Sequence, residues 1–354
     1  MAPPADIITH HAFDTLPPGA LALFDAGVFS SAAWYRTVIL HALSPGATPC
    51  LTVVQEGGRP VAMLPLMRDA AGRLQGLTTP YTCVHQPILP GRLGSAALEE
   101  AARQAGMICR RQATVRIDAV PEEWPGLPAM LVGLRRAGLR VLRFENFGNW
   151  HEPVAGQSWA AYLAARPGPL RETIRRKLKR CEREARLELF RGGPDLERGI
   201  AAFEAVYARS WKEPEPFPLF NAAFMRAAAE QGWLRLGVLW AGDRPAAAQF
   251  WVVAEGQATV LKLAHDEAFK PLSPGTALTA LMVQSLLDDE HVAELDFGRG
   301  DDPYKALWAT ARRRRVGLLV VNPRRLGGLI ALGRQLAGAM KRRRNRALHR
   351  GETA

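Results

Sequence analysis

The chain has 354 residues, 48% of them apolar, which exceeds the usual size of a single hydrophobic core and predicts two domains. Its formal charge of +12 would suit a nucleic-acid binder, but residues 311–350 hold thirteen Lys or Arg and no acidic residue, so the body is near neutral. The four cysteines form no C-x-x-C pair, the histidines show no H-x-x-x-H spacing, and no signal peptide or apolar run of roughly 18 residues is present, so reduced thiols, no metal and a cytoplasmic setting are expected.

After a Pro-rich start, residues 32–42 read as a helix. Strand-like runs at 50–55 and 60–67 follow, joined by a Gly-Gly turn. A strand at 74–79 leads into a loop rich in aromatic and polar groups, where Tyr81 and His85 are candidates for substrate contact. A helix at 95–107, a strand at 114–118, a helix at 126–137 and a strand at 139–145 complete a mixed first domain, and Trp150 and His151 mark the crossing to the second.

Residues 170–186 place Ile174, Leu178, Cys181 and Ala185 on one stripe of a helix whose other faces carry eight basic residues and three acidic ones. That face reads as a solvated surface or as a grip for a phosphorylated or RNA substrate. A strand at 187–190 and a helix at 196–211 follow, and the segment KEPEPFP breaks the helix before another at 219–230. Three strands, 233–240, 247–253 and 258–264, then run antiparallel. A short loop ending in Gly275 opens a helix near Thr276, and the chain proceeds to a strand at 292–298 and a charged turn at 299–302. A Gly-bearing turn into a helix N-terminus can hold a phosphate on backbone N–H groups. Beyond 322, Leu326, Leu329, Ile330, Leu332, Leu336 and Met340 alternate with basic clusters. That tail suits a solvated basic extension, contact with an anionic membrane surface or acidic partner, or nucleic acid.

From residue 187 onward this order resembles the GNAT acyltransferase fold. The stretches LAHDEAFKPLSPGTAL and LDFGRGDDPYKALWA resemble the C-terminal half of the Fem-like tandem acyltransferases, in the CelD-type branch of cellulose and exopolysaccharide gene neighbourhoods. The resemblance spans residues 29–322, the first half in outline only. It implies an α/β (α+β) chain of two tandem GNAT-like domains with mixed central sheets flanked by helices: a degenerate first domain at 1–155, an acyltransferase domain at 156–322 and a basic tail at 323–354.

The resemblance further implies an acyl-CoA (acetyl-CoA) or acyl-carrier donor lying along the strand of Leu261 and Leu263. The donor's pyrophosphate would rest at Lys270, Ser273, Gly275 and Thr276. Tyr304 would be the acid for the leaving group, with Asp296, or His265 and Asp266, as base, and Lys305 would hold an anionic substrate. Loop 270–275 departs from the family's Q/R-x-x-G-x-G/A pattern, with one glycine and two prolines, so an acyl carrier protein or an aminoacyl-tRNA stands beside coenzyme A as donor carrier. The expected acceptor is an amine on an envelope-related sugar, lipid or peptide precursor, and a peripheral place at the inner membrane face would follow from the tail. A tRNA-dependent transferase and a non-catalytic subunit of a polysaccharide synthesis system are the alternatives.

Overall fold

The computed structural model describes residues 6–25, 27–90, 94–335 and 337. The strands in chain order are β1 (Asp6–His10), β2 (Thr48–Glu56), β3 (Arg59–Arg68), β4 (Leu74–Gly76), β5 (Thr114–Pro121), β6 (Arg140–Pro153), β7 (Arg186–Phe190), β8 (Leu234–Ala241), β9 (Arg244–Ala254), β10 (Gln257–His265), β11 (Glu294–Asp296) and β12 (Ala311–Val321). The helices are α1 (Pro18–Leu21), α2 (Ala32–His41), α3 (Ser95–Cys109), α4 (Leu127–Arg136), α5 (Trp159–Ala164), α6 (Gly168–Glu184), α7 (Leu196–Ala208), α8 (Phe220–Glu230) and α9 (Pro274–Asp288). Strand β1 and helices α1 and α5 were not foreseen, and β6 runs well past its expected end at residue 145.

Local chemistry accounts for the elements that were foreseen. Helix α2 starts where the Ser31 hydroxyl accepts from the Trp34 N–H, and it buries Trp34, Tyr35 and Val38 on one side. The β2–β3 turn places Gly57 and Gly58 at φ of +56° and +78°, the conformation that matches a two-residue turn to strand twist. Helix α9 buries Leu278, Met282 and Leu286, a spacing that repeats one face every turn.

The described strands form one twelve-stranded mixed sheet in the order β1-β2-β3-β4-β5-β12-β6-β11-β10-β9-β8-β7. Each half contributes one parallel pair, β4 with β5 and β10 with β11. The halves interlock through exchanged strands. Strand β12, at the end of the second half, lies between β5 and β6, pairing Val321 with both Thr114 and Arg140. Strand β6 continues beyond this contact so that His151–Pro153 pair with β11.

This exchange also places part of the basic run. Arg312 to Arg315 lie in β12, and strand alternation divides them: Arg313 and Arg315 turn inward while Arg312 and Arg314 face water. Arg315 is only 2% exposed and donates to Glu123 at 2.6 Å. Beyond β12 a helix begins at residue 326, with Leu326, Leu329 and Ile330 exposed. Apart from residue 337, the predicted tail past 335 lies outside the described residues. No helix among the described residues is long and apolar enough to cross a membrane.

The halves also share a core. Trp34 of α2 meets Phe220 and Phe224 of α8 edge-on, with ring centroids 5.7 and 5.1 Å apart, and all three side chains are fully buried. Burying each ring contributes roughly 4–6 kcal/mol of transfer free energy.

His85 belongs to this interior and not to a substrate surface. It is 1% exposed, with Nδ1 at 3.5 Å from the Tyr35 hydroxyl and Nε2 facing Gly76. Burial lowers its pKa to about 4. An unfolded histidine takes up a proton below about pH 6.5, so the stability gained by keeping His85 neutral is complete above that pH and is lost as pH falls toward 4. Between pH 6.5 and 5 the loss should be about 2 kcal/mol. Urea unfolding at the two pH values, on the parent and His85→Gln, measures it; the variant should show a flatter dependence.

Candidate functional site

Strand β10 creates the site by irregular pairing on both sides. Toward β9, Val260 pairs with Trp251 and Lys262 with Phe250, leaving Leu261 as a bulge. Toward β11, pairing stops after Thr259 and Asp296, and the two strands part. Gly298 sits at the fork with φ of +68°, and a Cβ there would lie 2.4 Å from the Val260 carbonyl oxygen, so only glycine lets the backbones pass this closely. A cavity of about 400 Å³ opens beyond the fork.

Both halves line this cavity. Leu261 and Leu263 come from β10, Tyr304 and Lys305 from the turn after β11, and Tyr81 and Cys83 from the loop after β4. Five of the residues singled out from sequence thus converge. Tyr304 sits in a one-turn 3-10 helix, Pro303–Leu307, and is 38% exposed. Partial burial, with help from the Asp302 charge, raises the phenol pKa, so the group is protonated at neutral pH and has a proton to donate. Lys305 is almost fully buried, and its Nζ donates to the carbonyls of Arg299 and Gly300 at 2.7 and 3.3 Å and lies 3.3 Å from Asp302. Burial pushes the Cys83 thiol up to about 12, which keeps it neutral.

Other predicted residues lie outside the cavity lining. The Asp296 carboxylate accepts from the Asn149 amide and the Gly298 N–H, each at 2.7 Å, and from Arg313 at 2.5 Å. Those bonds hold the fork and turn the carboxylate into the sheet. Asp266 accepts from the Ala268 N–H at 2.9 Å and from Arg209 Nε at 2.6 Å. Burial alone would raise its pKa; the donors outweigh that and lower it, as befits a cap. His265 packs on Trp211 with centroids 4.4 Å apart, and burial lowers its pKa.

The helix start proposed for a pyrophosphate is sparse. Ser273 is in the left-handed region at φ of +52°, Pro274 has no N–H, and the Ala277 N–H is directed to the Ser273 carbonyl. Among the described residues, the amides of Gly275 and Thr276 remain without a backbone partner, and Lys270 is exposed beside Glu267. Helix α6 lies against this start, with Lys177 Nζ donating to the Pro271 carbonyl at 3.1 Å.

Sequence reading missed a second group. Lys262, Lys212 and Arg299 also line the cavity. Lys262 forms an ion pair of 2.5 Å with Glu215, which also accepts from the Tyr81 hydroxyl at 2.7 Å. Burial would raise the Glu215 pKa, but donors from Lys262, Tyr207 and Tyr81 outweigh it and bring it below the usual carboxylate range. One signal was present in the sequence, a lysine inside the apolar run of β10. Glu215 gave none, since KEPEPFP reads only as a helix breaker.

The parting of β10 and β11, next to the Leu261 bulge in the pairing with β9, is the decisive feature. Residues 169–306 match the family model described as Acetyltransferase (GNAT) domain. The chain has the tandem GNAT fold. Its structure is similar to that of FemX, with a TM-score of 0.59 at 12% identity, covering 90% of this chain and 98% of that one. A tandem GNAT protein from the clavulanic acid biosynthesis pathway gives a TM-score of 0.51 at 15% identity, over 90% of this chain and 98% of the other. The C-terminal domain of a protein named as a lysylphosphatidylglycerol synthetase, from Agrobacterium fabrum, gives 0.50 at 15% identity, over 87% and 91%. No curated protein sequence matches the chain. At these identities the structural likenesses speak for the fold.

Proposed function

We propose that the chain is an N-acyltransferase that moves an acyl group from an acyl-CoA or acyl-carrier donor to an amine of an envelope- or polysaccharide-related acceptor. The carrying observation is that Tyr304, held protonated, shares one cavity with the bulged, unpaired edge of β10. The neutral amine attacks the donor carbonyl, forming the C–N bond and a tetrahedral oxyanion. Collapse breaks the C–S bond, and Tyr304 gives its proton to the departing thiolate. Solvent takes the proton lost by the amine and reprotonates the phenolate. The catalytic work asked of the protein is mainly placement and proton delivery. Acceptor class and the CelD-type branch rest on the sequence resemblance. A mass-spectrometric donor screen, run on the parent, Tyr304→Phe and Asp296→Asn, tests the reading; no acyl product with any donor would favour a non-catalytic scaffold.

One observation favours a second reading, transfer from aminoacyl-tRNA. Arg175, Arg176, Lys179 and Arg183 on α6 have no carboxylate within 4 Å among the described residues, and this helix abuts the start of α9. A polyanion bound there would release counterions. Under this reading tRNA affinity should fall at least tenfold between about 50 and 200 mM salt in a filter-binding titration; affinity independent of salt would exclude it.

A further inference from the structure

Four cations line the cavity: Lys212, Lys262, Arg299 and Lys305. Two are satisfied within the protein. Lys262 has Glu215, and Lys305 has two carbonyls and Asp302. The other two have no carboxylate within 4 Å among the described residues. They approach from different walls, Lys212 from the connection between α7 and α8 and Arg299 from the turn after β11.

Neither side chain is loosely placed. The Arg299 guanidinium lies on the Phe147 ring, 4.3 Å from its centroid, and donates to the Thr82 carbonyl at 3.2 Å. Those contacts fix its plane and leave other N–H groups of the fork uncommitted. The Lys212 ammonium lies 5.6 Å from the centre of the Trp211 ring. Arg299 is exposed and Lys212 half-buried, so water still reaches both, and each brings an uncompensated positive charge to the cavity wall.

We propose that this pair binds an oxyanion, a carboxylate or phosphate, carried by the acyl acceptor on the same molecule as its reacting amine. The assignment to the acceptor rests on the acyl-transfer reading above. It narrows the acceptor to an amine that also bears a negative group, and it gives Arg299 and Lys212 the role of orienting that molecule toward the donor carbonyl. Partial desolvation lowers the pKa of both cations, for Lys212 with the repulsion of Lys262 added, and a bound anion would oppose that shift. The amine itself needs no new carboxylate to hold it once its anionic end is anchored. A planar fork from one wall and a point charge from another suit either oxyanion.

Isothermal titration of the full chain with inorganic phosphate and with succinate, at low ionic strength, tests the pair. One anion per chain should bind, at least tenfold more weakly to Arg299→Gln and to Lys212→Gln. Arg299→Lys should recover part of the loss, and Arg73→Gln, on a remote surface pair with Asp69, should match the parent. Thermal unfolding of each variant checks that the fold is intact. Unchanged anion binding in both glutamine variants would overturn the site. Competition between coenzyme A and phosphate in the parent would assign the anion to the donor and overturn the acceptor assignment. The titration needs no turnover, so it is decided separately from the donor screen, which alone decides acyl transfer.

Discussion

Tyr304→Phe is expected to lower kcat by roughly 10²- to 10³-fold, with KM for the donor little changed, once the donor screen has supplied a substrate. The hydroxyl makes no hydrogen bond to the described residues, so its removal orphans no buried partner. Thermal unfolding should therefore be unaltered. The phenol is protonated across the neutral range because burial and Asp302 oppose its ionisation, so the parent's kcat should show no loss attributable to this group until alkaline pH. A packing role predicts the opposite pattern, with kcat preserved. If kcat of the phenylalanine variant equals the parent's, the leaving group takes its proton from elsewhere and the assigned chemistry fails.

Arg313→Met is expected to cost about 3–5 kcal/mol of stability, measured as a shift in the urea midpoint at constant slope. From β12 this arginine reaches across β6, donating to Asn149 at 2.5 Å, and on to β11, where Glu294 and Asp296 accept at 2.8 and 2.5 Å. One side chain thus ties together the three strands at the seam of the two halves. Removing it leaves Asp296, only 4% exposed, without its countercharge. Its neighbour Arg312 also forms ion pairs, with Asp301 and Glu145, but on the wet face of the same strand. Arg312→Met should lose less than about 1 kcal/mol, because solvent screens those pairs. Equal losses from the two variants would show that the inward network holds nothing extra. Since Asp296 forms the fork below the cavity, Arg313→Met should also reduce activity at temperatures where it remains folded.

Much of the second half was legible because its signals are local. Apolar runs on either side of Glu255 and Gly256 pointed to the β9–β10 hairpin, and the spacing of Leu278, Met282 and Leu286 to α9. Tyr304, Lys305, Leu261 and Leu263 line one cavity, since they flank a strand and turn whose order the motif preserves. The candidate bases fared differently. Asp296 and Asp266 read in sequence either as bases or as a turn-fixing buried carboxylate and a loop cap, and the partners that hold them, Asn149, Arg313 and Arg209, lie far away along the chain. Likewise, no residue near the charge run at 312–315 announces that β12 pairs with β5 and β6.

From the amino-acid order came the classes of element, the faces they bury, the Gly-bearing turns and a tyrosine at a strand-to-turn junction. These follow from steric and periodic rules acting over a few residues. Tertiary structure decided which strand covers which edge. It thereby decided that β6 and β12 are exchanged between halves, that Glu215 neutralises Lys262, and that Lys212 and Arg299 face the cavity without a countercharge. Periodicity states that a face must be covered and a charge compensated, but the partner comes from long-range pairing, which no local pattern encodes.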